Sequence, residues 1–331
     1  MNKMKQFWYK KNVLVTGGAG FIGSNLCIEL VRLGAKVTVV DSLLPDYGGN
    51  LFNLKPVINK IHLNIADIRD KYSLIYLVKN KDFIFNLAGQ VSHIDSMTDP
   101  VTDLEINCTS QLVLLETVRK INQQVKIIYA STRQLYGKPL FLPVSETHPN
   151  YPVDINGINM LAAEQYHMLY NDIYGIKCVS IRMTNTYGPR QLMKHSRQGF
   201  VPSFIRLALE SKEICIYEPG TQKRDFNYVS DAVSALLLAG SLEKSYGKIY
   251  NLGHHKYYSL IEFTELLIKI LGKGKYRIVK WPRGRKKIDI GDYYGDYSRI
   301  KRELGWEPKV SLEQGLRRTV AFYRKYKKYY W

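Results

Sequence analysis

The sequence predicts an α/β protein, a doubly wound parallel sheet followed by a smaller C-terminal α/β lobe, and three observations predict it. An apolar run at residues 13–16 breaks at Gly17 and yields to Ile22, Leu26 and Leu30 at helical spacing. Further apolar runs at 36–40, 61–65, 83–87, 126–130 and 177–181 alternate with helical segments, as a parallel sheet with crossover helices requires. The chain has 331 residues, 45% of them apolar, enough for one large domain and a lobe and too many for global disorder.

Taken in order, the first strand and helix enclose Gly18-x-Gly20-x-x-Gly23, where a dinucleotide fingerprint belongs. Glycines at Gly17, Gly20 and Gly23 allow a tight turn, close approach of the backbone to a pyrophosphate, and close packing of helix on sheet. The following helix start, at Phe21 and Ile22, offers free N–H groups to the phosphates. The second strand ends at Asp41, 18 residues past Gly23. An acid there accepts hydrogen bonds from the ribose and repels a 2′-phosphate, so the expected cofactor is NAD.

A loop-rich connection to residue 60 leads to the third strand, which ends beside Asp67 and Ile68, placed for the adenine edge. The fourth strand runs into Leu87, Ala88 and Gly89, small residues that let the backbone approach the cofactor. A long helix is predicted over 101–118, a strand over 126–130, a polar, proline-containing segment over 132–154 and a helix over 157–173. Beyond Asn185 the simple alternation stops. A loop is predicted over 218–228, a helix capped by Ser230, a strand at 249–252, and helices starting at Ser259 and Ser311, the latter with Gln314 in a capping-box position. Residues 1–184, with a returning strand and helix near 229–254, are assigned to the Rossmann-type domain. Residues 185–228 and 255–331 are assigned to the substrate lobe.

Composition narrows the classes. Lys and Arg number 48 against 29 Asp and Glu, a net charge of +19. The basic residues are dispersed apart from runs at 283–287 and 317–328, and no nucleic-acid motif accompanies them, so no nucleic-acid partner is expected. No apolar run is long enough for a membrane span. No apolar signal region follows the basic start, and the four cysteines lack CxxC spacing. They are read as buried thiols of a cytoplasmic protein, and no metal site is expected.

Several separated motifs together resemble the extended short-chain dehydrogenase/reductase family acting on nucleotide sugars. They are the glycine turn, Asp67-Ile68-Arg69-Asp70, Asn86-Leu87-Ala88-Gly89-Gln90-Val91, Ser131-Thr132 before Leu135-Tyr136-Gly137, and Leu161-Ala162-Ala163-Glu164. Arg182 to Asn185 before Tyr187-Gly188-Pro189, Arg224-Asp225-Phe226-Asn227-Tyr228, and Leu304-Gly305-Trp306-Glu307-Pro308 complete the set. The resemblance spans nearly the whole chain, and some phrases are most similar to a CDP-tyvelose 2-epimerase-type branch. It implies NAD, a nucleotide-diphosphate sugar as substrate and a homodimer through the helices near 101–118 and 157–173. It implies Thr132 as the hydroxyl that bonds the reacting sugar oxygen, and Asn185 and Arg224 as substrate ligands, Arg224 on the diphosphate. Ser92, Asn156, Arg190 and Gln191 join the substrate set on the same basis.

One departure matters most. The family's Tyr-x-x-x-Lys, which moves the proton and holds the nicotinamide ribose, aligns with Asn156 and Met160. Neither an amide nor a thioether can do that chemistry. The Tyr-x-x-x-Lys strings at Tyr276/Lys280, Tyr297/Lys301 and Tyr323/Lys327 lie far from the predicted cofactor strands. The acidic pair of related 4,6-dehydratases is replaced by Arg133 and Gln134, which removes that elimination route. Arg133 is left to bind a carboxylate, a phosphate or a developing oxyanion, or to pair with an acid. His93, in the loop after the fourth strand, is the candidate general base. The leading expectation is an NAD-dependent nucleotide-sugar epimerase, at C4 or else C2, in cell-surface polysaccharide or deoxysugar synthesis. A net dehydrogenase, a dehydratase and a catalytically silent binding subunit are the alternatives.

Overall fold

The computed structural model describes residues 3–44, 46–283 and 285–331. Residues 1 and 2 of the predicted first domain and Gly284 of the basic run lie outside the described residues. The strands are β1 (Asn12–Thr16), β2 (Lys36–Asp41), β3 (Ile61–Ile65), β4 (Phe83–Asn86), β5 (Lys126–Thr132), β6 (Cys178–Met183), β7 (Asn185–Tyr187), β8 (Glu213–Tyr217), β9 (Lys223–Tyr228), β10 (Lys248–Asn251), β11 (Tyr257–Ser259) and β12 (Lys275–Val279). The helices are α1 (Lys3–Trp8), α2 (Phe21–Arg32), α3 (Leu51–Leu54), α4 (Lys71–Leu77), α5 (His93–Thr98), α6 (Pro100–Leu104), α7 (Ser110–Ile121), α8 (Ile155–Tyr174), α9 (Phe200–Leu209), α10 (Val229–Ser241), α11 (Leu260–Leu271), α12 (Ser298–Leu304) and α13 (Leu312–Tyr326).

Among the described residues the main sheet has seven strands in the order β10-β6-β5-β4-β1-β2-β3, every neighbouring pair parallel. Helices cover both of its faces, so β1 and β4 read as apolar runs rather than alternating ones, and β6 is buried throughout even at Ser180 and Arg182, which pair with Glu164. The strand order reverses between β1 and β4, and this is where an open parallel sheet of this kind leaves a crevice. β10, far along the chain, returns to this sheet beside β6. The smaller lobe carries the sheets β11-β9-β7 and β12-β8.

Local signals explain most element ends. Asp154 caps α8 by accepting from Gly157 N, worth about 1 kcal/mol, and Gly175 ends that helix in the left-handed region at φ 69°. Ser259 and Ser311 form complete capping boxes with Glu262 and Gln314, as the sequence predicts.

Four expectations are corrected. The 101–118 helix is broken into α6 and α7 by a π-turn at Glu105–Thr109, which turns the Asn107 side chain inward onto the backbone of Gln90. The loop expected over 218–228 is a strand from Lys223 onward. Its polar residues are buried because each has a partner, such as Asn227 on Gly253 O and Asp225 on Gly295 N. Ser230 does not cap α10, which starts one residue earlier, at Val229, with no side-chain cap. Cys215 is exposed rather than buried, because β8 turns Ile214 and Ile216 to the core and the residue between them outward.

The chain's last segment packs back against its first third. Tyr330 Oη donates to Asn53 Oδ1 at 2.6 Å, Phe52 stacks on Tyr329 at 3.6 Å, and Asn50 donates to Tyr329 O. Asn53 in turn donates to Ala19 O, inside the glycine turn, at 2.9 Å.

Candidate active site

A cleft of about 500 Å³ runs along the C-terminal ends of β1, β2, β4, β5 and β6, and its two ends have different chemistry. At one end lies the glycine turn. Gly17 has φ 66°, and a Cβ there would sit 2.9 Å from Leu87 O. A Cβ on Gly23 would run into Gly17 O and lie 2.8 Å from Gly18 Cα, so α2 can approach the turn only with glycine there. α2 has no side-chain cap, which leaves its first N–H groups to face the cleft. Gly17, Gly20, Phe21, Ile22, Gly23, Asp41, Asp67, Ile68, Leu87, Ala88 and Gly89 all line this end.

Asp41 is only 9% exposed. Its carboxylate accepts from Ala19 N at 2.9 Å and Leu43 N at 2.8 Å, and so braces the glycine turn as well as facing the cleft. Burial pushes its carboxyl up, against the pull of those N–H groups. Asp67 is fixed by Arg69 at 2.8 Å, whose guanidinium holds its carboxyl below the usual range and also reaches Glu105. Sequence reasoning missed Thr16. Its Oγ1 accepts from both Leu87 N and Ala88 N at 3.0 Å and donates to Asn86 Oδ1, which fixes the cofactor-side loop after β4. Asn86 continues the network to Gln111 and His167. A threonine between an apolar strand and a glycine turn was the available signal. The donors, glycines and acid present therefore fit a dinucleotide.

At the other end the cleft is lined by Thr132, Arg133, His93, Asn156, Met160, Asn185 and Gln191. Thr132 closes β5, and its Oγ1 accepts from Gln134 N. His93 Nδ1 lies 3.1 Å from Asp154 Oδ2. The same Asp154 oxygen accepts from Gln134 Nε2 at 3.0 Å, and Oδ1 accepts from Gly157 N at 2.7 Å. Burial opposes ionisation of Asp154, but His93, Gln134 and Gly157 outweigh it and hold its carboxyl below the usual range. Asp154, unmarked in the sequence, is thus a buried acid behind the candidate base. Arg133 Nη2 donates to Asn185 Oδ1 at 3.2 Å. Burial lowers the Arg133 pKa, opposed by Tyr293 and by Asp225, Asp289 and Asp154. Asn156 and Met160 do occupy the cleft wall. The Asn156 amide nitrogen is already committed, to Gln90 O at 2.8 Å and Asp103 Oδ2 at 3.2 Å, and Met160 Sδ accepts from Tyr129 Oη.

Three predicted substrate residues are not brought to this cleft. Ser92 is buried, and its hydroxyl caps α5 by accepting from Asp95 N. Arg190, at φ 76°, donates to Asn25 Oδ1 and lies over the Phe322 ring. Arg224 sits on β9 and donates to Lys223 O and Gly291 O, with Asp289 at 3.6 Å. Burial pushes its pKa down to about 10. Ser92 is held within its own helix start, whereas Arg190 and Arg224 are held by residues distant in the chain, which spacing along the sequence does not reveal.

Among the described residues no group of three His, Cys, Asp or Glu side chains is arranged to hold a metal ion. No helix among them is long and apolar enough to cross a membrane.

The sequence profile of the GDP-mannose 4,6 dehydratase family matches residues 14–319. The chain belongs to that family. A putative UDP-glucose 4-epimerase of Methanocaldococcus jannaschii is 35% identical over 313 residues, 93% of this chain and 97% of the relative. Among solved structures, a UDP-glucose 4-epimerase of Thermotoga maritima with UDP-glucose superposes with a TM-score of 0.86. It is 34% identical and covers 96% of this chain and 99% of its own. A dTDP-glucose 4,6-dehydratase of Streptomyces venezuelae, with NAD and TYD bound, gives 0.88 at 29% identity over 96% and 98%. Epimerases and dehydratases alike match this GDP-mannose 4,6 dehydratase family member along its length, so it is an enzyme of the NAD-dependent, extended short-chain dehydrogenase/reductase type.

Proposed function

We propose that the protein is an NAD-dependent epimerase of a nucleotide-diphosphate sugar, acting at C4 or, following the branch similarity, at C2. One observation carries this reading: a single cleft joins a dinucleotide cradle to a wall holding Thr132, His93 and Asn185. Bound in that cradle, NAD supplies a reversible hydride acceptor. The Asp154 carboxylate, 3.1 Å from Nδ1 though not aligned for a hydrogen bond, favours by its charge the tautomer with Nδ1 protonated and leaves Nε2 of His93 to accept the proton of a sugar hydroxyl. Thr132 Oγ1 positions that oxygen, and Asn185, held by Asp225 O at 2.9 Å, contacts the sugar. His93 returns the proton to the same oxygen after the ring presents its other face, so no net oxidation results. Gln191, whose Oε1 has no partner among the described residues, is a further sugar contact, and Asp67 reaches the adenine edge.

The protein works in the cytoplasm, in polysaccharide or deoxysugar synthesis, as a homodimer. Exposed apolar side chains at Val101, Leu104, Ile158, Leu169 and Ile173 on α6 and α8 support that association.

The test is to release and identify cofactor from purified protein, then incubate the protein with UDP-, GDP-, CDP- and dTDP-hexoses and the matching hexuronates and follow products by NMR. The expected result is bound NAD and one epimer pair at equilibrium. Tight binding of NAD and nucleotides with no conversion across the panel would instead make this a silent subunit.

A further inference from the structure

Arg133 directly follows Thr132 and lines the same cleft. A guanidinium has five N–H donors in a fixed fork and keeps its charge. Among the described residues one side-chain acceptor is supplied, Asn185 Oδ1, and the Tyr293 ring lies 4.9 Å away. Nη1 is enclosed and has no partner among the described residues. The acids that act on Arg133 through space are engaged elsewhere. Asp225 takes Gly295 N and the Thr184 hydroxyl, Asp289 takes Gly291 N and faces Arg224, and Asp154 serves His93. A cation half-buried in the cleft wall and short of acceptors is costly, and an anionic ligand relieves that cost.

We propose that Arg133 is a receptor for a carboxylate on the sugar itself, so that the substrate is a nucleotide-linked sugar acid. This rests on the nucleotide-sugar reading above. The diphosphate is the other anion such a substrate carries. Arg133 lies between Thr132, which bonds the reacting oxygen, and Gln134, which bonds the Asp154 behind His93. That places it among the groups around the ring. A planar carboxylate matches the guanidinium fork in two parallel hydrogen bonds, and the neutral CH₂OH of an ordinary hexose does not.

The test uses NAD-loaded protein and calorimetry with matched probes: UDP-glucose against UDP-glucuronate, GDP-mannose against GDP-mannuronate, and UDP and GDP alone. The acid member of at least one pair should bind about 10- to 10²-fold more tightly than its neutral partner. Arg133→Gln should bring that ratio near one while leaving UDP and GDP binding unchanged. Arg133→Lys, which keeps the charge and loses the fork, should fall between. Retained NAD reports that each variant is folded. Equal affinities within every pair in the wild type overturn the inference alone. So does an Arg133→Gln loss of the same factor on the bare nucleoside diphosphates, which would give Arg133 to the diphosphate. Failure of every nucleotide to bind overturns the nucleotide-sugar reading along with it.

Discussion

Restoring the family's tyrosine at position 156 should weaken the protein and leave turnover no higher. Asp103 is fully buried, and its carboxylate is held by three side-chain amides: Asn159 at 2.7 Å, Asn107 at 3.1 Å and Asn156 at 3.2 Å. Asn156→Tyr removes one of the three, and a hydrogen bond to a charged group is worth about 1.5–3 kcal/mol. Gln90 O also loses its 2.8 Å bond from Asn156 but keeps the one from Asn107, a smaller loss of about 1 kcal/mol. Together these predict roughly 3 kcal/mol of lost stability, more if the larger ring overpacks a position 3% exposed. Urea unfolding of NAD-loaded protein measures it, with turnover followed in parallel for Asn156→Tyr and for Asn156→Tyr/Met160→Lys. A loss under about 1 kcal/mol would show that the amide cluster does not hold Asp103 as described. A tenfold rise in turnover by the double variant would refute the assignment of proton transfer to His93.

His93→Ala should lower turnover about 10²-fold or more with NAD content intact, and a near-normal rate removes it as the base. Gly23→Ala should abolish retention of NAD through purification, because the new methyl meets Gly17 O; unchanged cofactor content would contradict the close approach of α2. Glu164→Gln should destabilise the fold by about 3–5 kcal/mol, since Arg182, 2% exposed, is left without its charge partner at 2.5 Å; thermal unfolding reads this. Burial pushes the His167 pKa down from 6.5 to about 4, so the unfolded chain takes up this proton first. Its contribution is present above pH 6.5 and lost as pH falls toward 4, by about 3 kcal/mol. Asp225, raised by burial to about 6, has the opposite sign, its contribution present below pH 3.8 and lost as pH rises through 6. His167→Gln should therefore remove the acid-side loss and expose the opposing slope of Asp225 in urea titrations from pH 4 to 7, and an unchanged profile would refute this assignment.

The parallel sheet was legible because strands buried on both faces are continuous apolar runs, and because glycine fixes the turn before α2. The cofactor end was legible for the same reason: its residues sit at strand ends in chain order. β9 was not, since Lys223–Tyr228 carries buried polar and charged groups, Asp225 and Asn227, whose partners, Gly295 and Gly253, lie far along the chain. The π-turn at Glu105–Thr109 was hidden because the contact that marks it, Asn107 on the backbone of Gln90, joins residues that only folding brings together. At the catalytic end the sequence showed which groups were missing but not what stands behind His93. Asp154 belongs by position to a helix cap, and only folding brings its second oxygen to the imidazole.

The aromatic closure by Tyr329 and Tyr330 over Phe52 and Asn53 ties the chain's last turn to the backbone of the glycine turn through Asn53 and Ala19. A closure that holds Ala19 in place favours the dinucleotide-binding form of the turn, and by reciprocity of linked equilibria bound dinucleotide would favour the closed form by that same factor. A cofactor titration is then also a gauge of how well the far end of the polypeptide is docked. Tyr330→Ala should register as weaker NAD affinity, although the residue lies more than 300 residues along the chain from Ala19.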